Sequence, residues 1–255
     1  MKIDFHSHVK LAKNSDFSMD NFRDIIKEAK EQGLTALTIT EHFNTSNFSM
    51  IYDTLDEYYE YKYDYYDVEG LKIFTGMEVN IPDNYHILLI GNIVDIRRIR
   101  EGLNGYEEKD AFISLDKLFE LCDSSDILII LAHPFRHDPL CTIKPKLLER
   151  FNAFDLNGKD LFEYGIKEMT AKVMDLGEKY DIPVITGSDS HQYLQLGSLM
   201  TIFDKECETI SEIKNEIKAG RYEIFISPCL DIKVKAARII KNFLKPQLEA
   251  QSSNN

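Results

Sequence analysis

The sequence predicts one α/β domain, built as a barrel or a doubly wound sheet. Short apolar runs alternate along the chain with longer segments whose apolar residues recur at helical spacing. That alternation is typical of a parallel sheet covered by helices. The length of 255 residues suits one such domain, and no Pro-, Gly- or Ser-rich linker divides the chain.

Eight segments are predicted as strands because they are short, apolar and rich in β-branched residues. In chain order they read KIDFH, LTALTIT, LKIFTGMEV, YHILLIG, ILIILAH, AFDLN, IPVITGSDSH and YEIFIS. The clearest helix is predicted over residues 19–33, whose apolar side chains fall on one helical face. Further helices are predicted near 50–68, 114–124, 145–152, 165–180 and 209–219.

Two segments need separate interpretation. Residues 51–69 hold seven tyrosines and seven acids, and we expect an amphipathic helix there, with an aromatic lid over the substrate as the alternative. The stretch 231–245 holds five basic residues and one acid. We therefore expect a barrel over residues 1–230, followed over 231–255 by a basic helix and a disordered tail that belong to the same domain.

Composition limits the partners. The net charge of −13 repels phosphate backbones, which makes nucleic acid an unlikely partner. The four cysteines form no closely spaced pair, and no apolar stretch is long enough for export or for crossing a membrane. These features predict a cytoplasmic protein with reduced thiols, no membrane contact and an oligomeric state that the sequence leaves open.

Histidines cluster at the ends of the predicted strands. Six of the seven lie at or beside a strand end: His6, His8, His42, His86, His133 and His191. Glu78 ends another strand, and Asp189 precedes His191 by two residues. Because functional groups of α/β folds converge at one end of the sheet, we expect these side chains to meet. Imidazole and carboxylate together suit zinc, manganese or iron, and their number indicates two or three ions.

The ordered motifs DFHSH, TEH, GMEV, AHPFR and GSDSH resemble those of the PHP (polymerase and histidinol phosphatase) superfamily. The resemblance covers residues 4–191 and implies a distorted (β/α)7 TIM-like barrel. By position, His6 and His8 resemble ligands of a first ion, which Asp189 would join. Glu78 would bridge this ion to a second.

The resemblance assigns the remaining ligands in the same way. His86 and His133 resemble ligands of the second ion, and His42 and His191 resemble ligands of a third. Asp16 is a possible further ligand of the third ion, since it is the only carboxylate in the segment VKLAKNSDF after the first motif.

Two features depart from the superfamily pattern. Glu41 stands where an Asp is usual, and Lys10 and Lys13 lie closer to the first motif than Asp16 does. A lysine ammonium in this segment could replace the charge of the third ion. Asp4, like Glu41, is expected to orient a ligand histidine rather than to bind metal itself.

The chemistry implied is hydrolysis of a small phosphomonoester, a phosphorylated metabolite, by attack of metal-bound hydroxide. Glu78 and Asp189 would serve catalysis through the metals, while Arg136 would clamp the phosphate. His137 and Asn157 are expected to contact the substrate. Three alternatives stay open: a phosphodiesterase or 3′–5′ exonuclease, a catalytically inactive metal-binding module, and a metal-dependent amide hydrolase.

Overall fold

The computed structural model describes residues 1–136 and 143–252, with side chains described as far as Leu244. The strands are β1 (Lys2–Ser7), β2 (Ala36–Ile39), β3 (Glu60–Lys62), β4 (Tyr65–Val68), β5 (Leu71–Asn80), β6 (His86–Ile90), β7 (Leu128–Ala132), β8 (Ala153–Asn157), β9 (Val184–Gly187), β10 (Leu199–Phe203) and β11 (Tyr222–Ile226). The helices are α1 (Met19–Glu31), α2 (Phe48–Tyr58), α3 (Ile93–Gly102), α4 (Leu115–Cys122), α5 (Pro145–Leu148), α6 (Gly158–Tyr164), α7 (Ile166–Tyr180), α8 (Ile210–Lys218) and α9 (Leu230–Ser252).

The sheet curls into a nearly closed barrel. Its strands follow the order β11-β10-β1-β2-β5-β6-β7-β8-β9. A parallel bridge between Ser7 and Ser190 joins the end of β1 to the segment after β9, which brings the two sides of the sheet together. The predicted TIM-like α/β barrel is therefore confirmed.

The sheet is mixed, and the expectation of a parallel sheet is wrong for β3, β4, β6, β10 and β11, which all pair antiparallel. β1, β2 and β5 run parallel, as do β7, β8 and β9, but β6 is antiparallel to both β5 and β7. Its first residue, His86, pairs with Asn80 near the end of β5 and with Ala132 at the end of β7. The start of β6 thus lies at the same rim as the ends of the parallel strands.

The tyrosine-rich segment also differs from the prediction. Helix α2 ends at Tyr58, and the hairpin β3–β4 replaces the rest of the expected helix. Tyr63 adopts φ +50° at the turn, and β4 pairs with β5. Tyr65 faces one apolar cluster while Tyr66 and Val68 face another, which is the two-residue period of a strand.

Two apolar clusters stabilise the barrel. One contains Ile3, Leu88 and Ile130 from three strands, and the second joins Phe22 of α1 to Leu37 of β2. Strands buried on both faces read as continuous apolar runs, which is why they were recognisable in the sequence. Among the residues that the structure describes, no helix has both the length and the apolar character needed to cross a membrane.

The C-terminal helix α9 covers the basic stretch that was predicted to be helical. It packs against α6 and against a single 3₁₀ turn at Tyr193–Gln195, which follows the last histidine motif. Disorder was predicted for the last five residues, QSSNN, but α9 continues to Ser252; residues 253–255 lie outside the described residues. This packing places α9 beside the rim that carries the candidate site.

Candidate metal centre

All eight side chains predicted as metal ligands converge at one rim of the barrel. They come from the ends of β1, β2, β5, β7 and β9 and from the start of β6: His6, His8, His42, Glu78, His86, His133, Asp189 and His191. Two of the positions that follow strands require unusual backbone geometry, since His133 has φ +31° and Asp189 has φ +54°. Left-handed conformations of this kind are uncommon outside glycine and often mark functional sites.

Glu78 lies at the middle of the group with 2% of its surface exposed. Its carboxylate approaches five imidazole nitrogens: Nε2 of His6 (3.5 Å), Nε2 of His8 (3.4 Å), Nδ1 of His42 (3.2 Å), Nδ1 of His86 (2.7 Å) and Nε2 of His133 (3.2 Å). Burial alone would raise the pKa of Glu78, but the surrounding imidazoles, led by His42 and His86, hold it well below its ordinary value. A buried carboxylate that stays ionised suits a bridging ligand.

The cluster divides into three groups whose ligand atoms lie within 4.8 Å of one another. The groups are His6, His8 and Asp189; Glu78, His86 and His133; and His8, His42 and His191. They follow the division that the sequence motifs implied, with His8 also lying within reach of the third group. Each group offers imidazole with or without carboxylate, which is the donor set of zinc, manganese and iron sites.

Several ring nitrogens are buried without a hydrogen bond. Among the described residues, Nε2 of His6, Nε2 of His8 and Nδ1 of His42 find no hydrogen-bond partner. Leaving a buried polar group unpaired costs roughly 1–3 kcal/mol, so such groups need an explanation. Burial lowers the pKa of His42 to about 4, whereas the negative charges of the neighbouring carboxylates outweigh burial and raise the pKa of His6 and of His8. A metal ion would bind these rings in their neutral form. The residues of the cluster therefore fit a metal centre.

Carboxylates orient two of the predicted ligand rings. Oδ2 of Asp155 accepts from Nδ1 of His6 at 3.2 Å, and Oε1 of Glu41 lies 3.4 Å from Nδ1 of His8. Because an ionised carboxylate can only accept, each Nδ1 carries the proton and each Nε2 is left as the ligand atom. Asp4 acts differently from the expectation: its Oδ1 accepts from backbone N–H groups of His6 (3.1 Å) and Ser188 (2.9 Å).

Sequence analysis missed Asp155, which is 1% exposed. The segment AFDLN contained a signal for it. Asp155 and Asn157 are two residues apart, as Asp4 and His6 are, so in a strand the side chains of each pair point to the same face. The same oxygen of Asp155 also accepts from Nδ2 of Asn157 at 2.9 Å. Asn157, predicted as a substrate contact, is thus part of the network behind the predicted ligand His6.

Arg136 is held by three side chains. Its Nε donates to Asp160 (2.8 Å), one terminal nitrogen donates to Asp189 (2.7 Å), and the other donates to Asn157 (2.7 Å). These bonds use three of the five N–H donors of the guanidinium and leave one on each terminal nitrogen for the predicted phosphate clamp. His137, the other predicted contact from this loop, lies outside the described residues.

Lys159 is a cation at the centre that sequence analysis did not identify. It follows β8 directly, near the start of α6, and 28% of its side chain is exposed. Its Nζ lies 2.7 Å from Oδ1 of Asp189 and 3.3 Å from Nδ1 of His191. A short stretch, DLNGKD, therefore supplies both the neutral amide of Asn157 and a positive charge beside the predicted ligands.

The segment after β1 contributes no ligand to the three groups. Asp16 is exposed and accepts from Nδ2 of Asn47 at 3.3 Å. Lys10 is buried, and its ammonium donates to the carbonyl of Ser46 at 2.6 Å, while Lys13 is exposed. Lys10 thus ties the loop after β1 to the loop after β2.

The PHP domain family model matches residues 4–131, and the model described as PHP-associated matches residues 171–222. The chain belongs to the PHP family. The resemblance drawn from the five motifs is confirmed, and the PHP chain is a metal-dependent phosphoesterase. The centre at the barrel rim is the candidate site for that activity.

This PHP chain is similar in sequence to one curated protein and in fold to two solved structures. A probable histidinol-phosphatase from Thermotoga maritima is 25% identical over 240 residues, which cover 87% of this chain and 93% of the relative. PsfC from Pseudomonas syringae PB-5123 shares the fold with a TM-score of 0.79 and 18% identity, over 95% of this chain and 98% of that one. Endonuclease Q, solved with a 27-mer duplex, aligns with a TM-score of 0.63 and 21% identity, over 86% of this chain and 56% of that one.

Proposed function

We propose that the protein hydrolyses a small phosphomonoester with two or three divalent ions, zinc, manganese or iron, held at the barrel rim. The observation that carries this proposal is the position of Glu78, which lies buried among five histidines. In our assignment His6, His8 and Asp189 hold the first ion. Glu78 would join it to the second ion.

The remaining ligands follow the other two groups. His86 and His133 would complete the ligands of the second ion, and His42 and His191 would bind the third. Bound ions of this kind lower the pKa of coordinated water and withdraw charge from phosphate oxygens. Asp16 lies in an exposed position outside the three groups, where it accepts from an asparagine. We therefore leave Asp16 out of the ligands of the third ion.

The protein's own cations have distinct roles in this proposal. Arg136 donates to Asp189 and Asn157, so it positions a ligand and the polar wall of the site. Lys159 is partly exposed beside the same Asp189, which suits an ammonium that contacts the substrate phosphate. We therefore assign phosphate contact to Lys159 and a positioning role to Arg136.

The name of the Thermotoga maritima relative supports a phosphomonoester as the substrate. The test is to load chelator-stripped protein with zinc, manganese or iron and to assay p-nitrophenyl phosphate and a panel of phosphomonoesters. We expect metal-dependent release of phosphate that is lost in Glu78→Ala. The proposal fails if no metal gives turnover above that variant.

A second candidate is cleavage of nucleic acid, which the Endonuclease Q neighbour brings forward. The net charge of −13 weighs against it, since a backbone of phosphates would meet an acidic surface. The discriminating assay gives the metal-loaded protein single-stranded DNA and a duplex with an abasic site. Strand cleavage without monoester turnover would replace the first proposal with this one.

A further inference from the structure

The ring of His86 differs from the rings of His6 and His8 in that both of its nitrogens have partners. Nδ1 lies 2.7 Å from Oε1 of Glu78, and Nε2 lies 2.6 Å from Nδ2 of Asn80. Among the described residues, by contrast, Nε2 of His6 and Nε2 of His8 have no hydrogen-bond partner. An ion can therefore bind the ring of His86 only by displacing one of its two partners.

The pairing of β5 with β6 decides which nitrogen faces which partner. Glu78 and Asn80 are two residues apart on β5, so their side chains point to the same face of the sheet. Asn80 stands directly opposite His86 in the antiparallel register. The imidazole thus lies along β5, with Nδ1 at Glu78 and Nε2 at Asn80, and both contacts are made by regular strands.

The second ligand group converges on the side of Glu78. Nε2 of His133 lies 3.2 Å from the same oxygen, Oε1, that Nδ1 of His86 approaches. The two imidazole rings meet nearly at right angles, with centroids 4.9 Å apart. Glu78, His86 and His133 therefore surround one point at the rim, and Nδ1 is the nitrogen of His86 that faces it.

The amide of Asn80 has an acceptor that the metal-free arrangement does not use. Its Oδ1 is buried and has no hydrogen-bond partner among the described residues. In a neutral ring whose proton is on Nδ1, that proton is donated to Glu78 and Nε2 accepts from Nδ2 of Asn80. If the proton were on Nε2 instead, the amide could reverse and accept it with Oδ1.

We infer that Asn80 is a positioning residue that makes Nδ1 the ligand atom of His86. When an ion binds, one proton leaves Nδ1 and one is taken up at Nε2, so the ring stays neutral, and Oδ1 of Asn80 accepts from the new N–H. His6 and His8 are oriented the opposite way, because their carboxylate partners hold Nδ1. This inference rests on the metal binding in the proposed function and is independent of the hydrolysis.

The test locates the proton on the ring of His86 by nuclear magnetic resonance. Two-bond proton–nitrogen spectra of the full chain, labelled with nitrogen-15 histidine, distinguish the two tautomers before and after zinc is added to chelator-stripped protein. The signals of His86 are those lost in His86→Gln. We expect the proton on Nδ1 without zinc and on Nε2 with zinc. A proton that stays on Nδ1 in the zinc-loaded protein would overturn the inference.

Two substitutions of Asn80 test the hydrogen bond itself. Asn80→Leu keeps the approximate size of the side chain but cannot accept, so it should weaken the binding of one zinc ion per chain about 10- to 100-fold. Asn80→Asp should bind zinc at least as tightly as the wild type, because an ionised carboxylate accepts from Nε2–H. Equal losses of affinity in Asn80→Leu and Asn80→Asp would contradict the role of the acceptor.

Asn152→Leu is the matched control for the loss of a half-buried amide. Asn152 precedes β8, at the amino ends of the parallel strands, and its Oδ1 accepts from the backbone N–H of Ile129 at 2.8 Å. This substitution should leave zinc affinity unchanged, with circular dichroism as the check on folding. The same zinc affinity in Asn80→Leu and Asn152→Leu would overturn the inference.

These outcomes separate the role of Asn80 from the proposed function. Zinc binding with the expected move of the proton, but without hydrolysis of any ester, contradicts the hydrolysis alone. Zinc binding with the proton retained on Nδ1 contradicts the role of Asn80 alone. A protein that binds no divalent ion contradicts both.

Discussion

The substitution Asp155→Asn tests how the centre is preorganised. Asp155 belongs to none of the three ligand groups, and its Oδ2 accepts from Nδ1 of His6, from Nδ2 of Asn157 and from the backbone N–H of His133. Asp155 therefore fixes the tautomer of His6 and holds the backbone of His133, and both residues are predicted ligands. Asparagine keeps the size of the side chain and removes its charge.

The expected magnitude follows from these three bonds. A neutral amide oxygen makes hydrogen bonds about half as strong as a carboxylate does, so His6 loses part of its orientation and basicity. Loss of such a supporting group typically weakens metal affinity about 10- to 100-fold, which corresponds to about 1.4–2.8 kcal/mol. We expect this loss in Asp155→Asn while the fold stays intact, because the oxygen can still accept from Nδ1.

The assay is competition for zinc or manganese between the protein and a chromophoric chelator, with circular dichroism as the check on folding. Asp64→Asn is the matched control, because this substitution removes the same charge at a distant site. Asp64 is a half-buried carboxylate that accepts from the backbone N–H of Ile210. A metal affinity of Asp155→Asn within twofold of the Asp64→Asn value would refute the reasoning.

Three further predictions concern the strand behind the centre and the centre itself. Tyr52→Phe should lower the free energy of unfolding in urea by about 2–4 kcal/mol, because the buried hydroxyl donates to the carbonyl of Gly76 (2.6 Å) and accepts from its N–H (2.9 Å). The exposed control Tyr58→Phe should change it little, and equal losses in the two variants would contradict this. Glu78→Gln should bind fewer ions per chain by elemental analysis; a wild-type metal content would exclude Glu78 as a ligand. Lys159→Gln should raise the KM for a phosphomonoester about tenfold with metal content retained. Lost metal content would instead make Lys159 a support of the neighbouring carboxylate.

Most of the barrel was predictable because its strands are buried on both faces. All eight segments predicted as strands form strands, but β10 and the hairpin β3–β4 were missed. The hairpin shows the reason. Tyrosines such as Tyr65 and Tyr66 suit a strand and also fit a helical face, and the choice was decided by pairing of β4 with β5, a tertiary contact that the local sequence does not contain.

The predicted ligand set came together, whereas the contacts of the cations did not follow from the sequence. Arg136 was correctly placed next to the centre, but its three partners sit 21 to 53 residues further along the chain. Lys159 was not identified from the sequence, because only the fold brings its ammonium to Asp189. Position at a strand end is a local property, while hydrogen-bond partners depend on how separate loops meet.

The histidine at the start of β6 shows why the joint pattern was more informative than any single motif. In parallel sheets, functional groups lie at the carboxyl ends of the strands, whereas His86 stands at the amino end of its strand. It reaches the centre only because β6 runs antiparallel to both neighbours, which turns its first residue to the shared rim and sets Nδ1 2.7 Å from Glu78. In a parallel strand the same residue would lie at the opposite rim. The reversal of β6 is therefore what allows Glu78 and His86, on adjacent strands joined by a short connection, to belong to one ligand group.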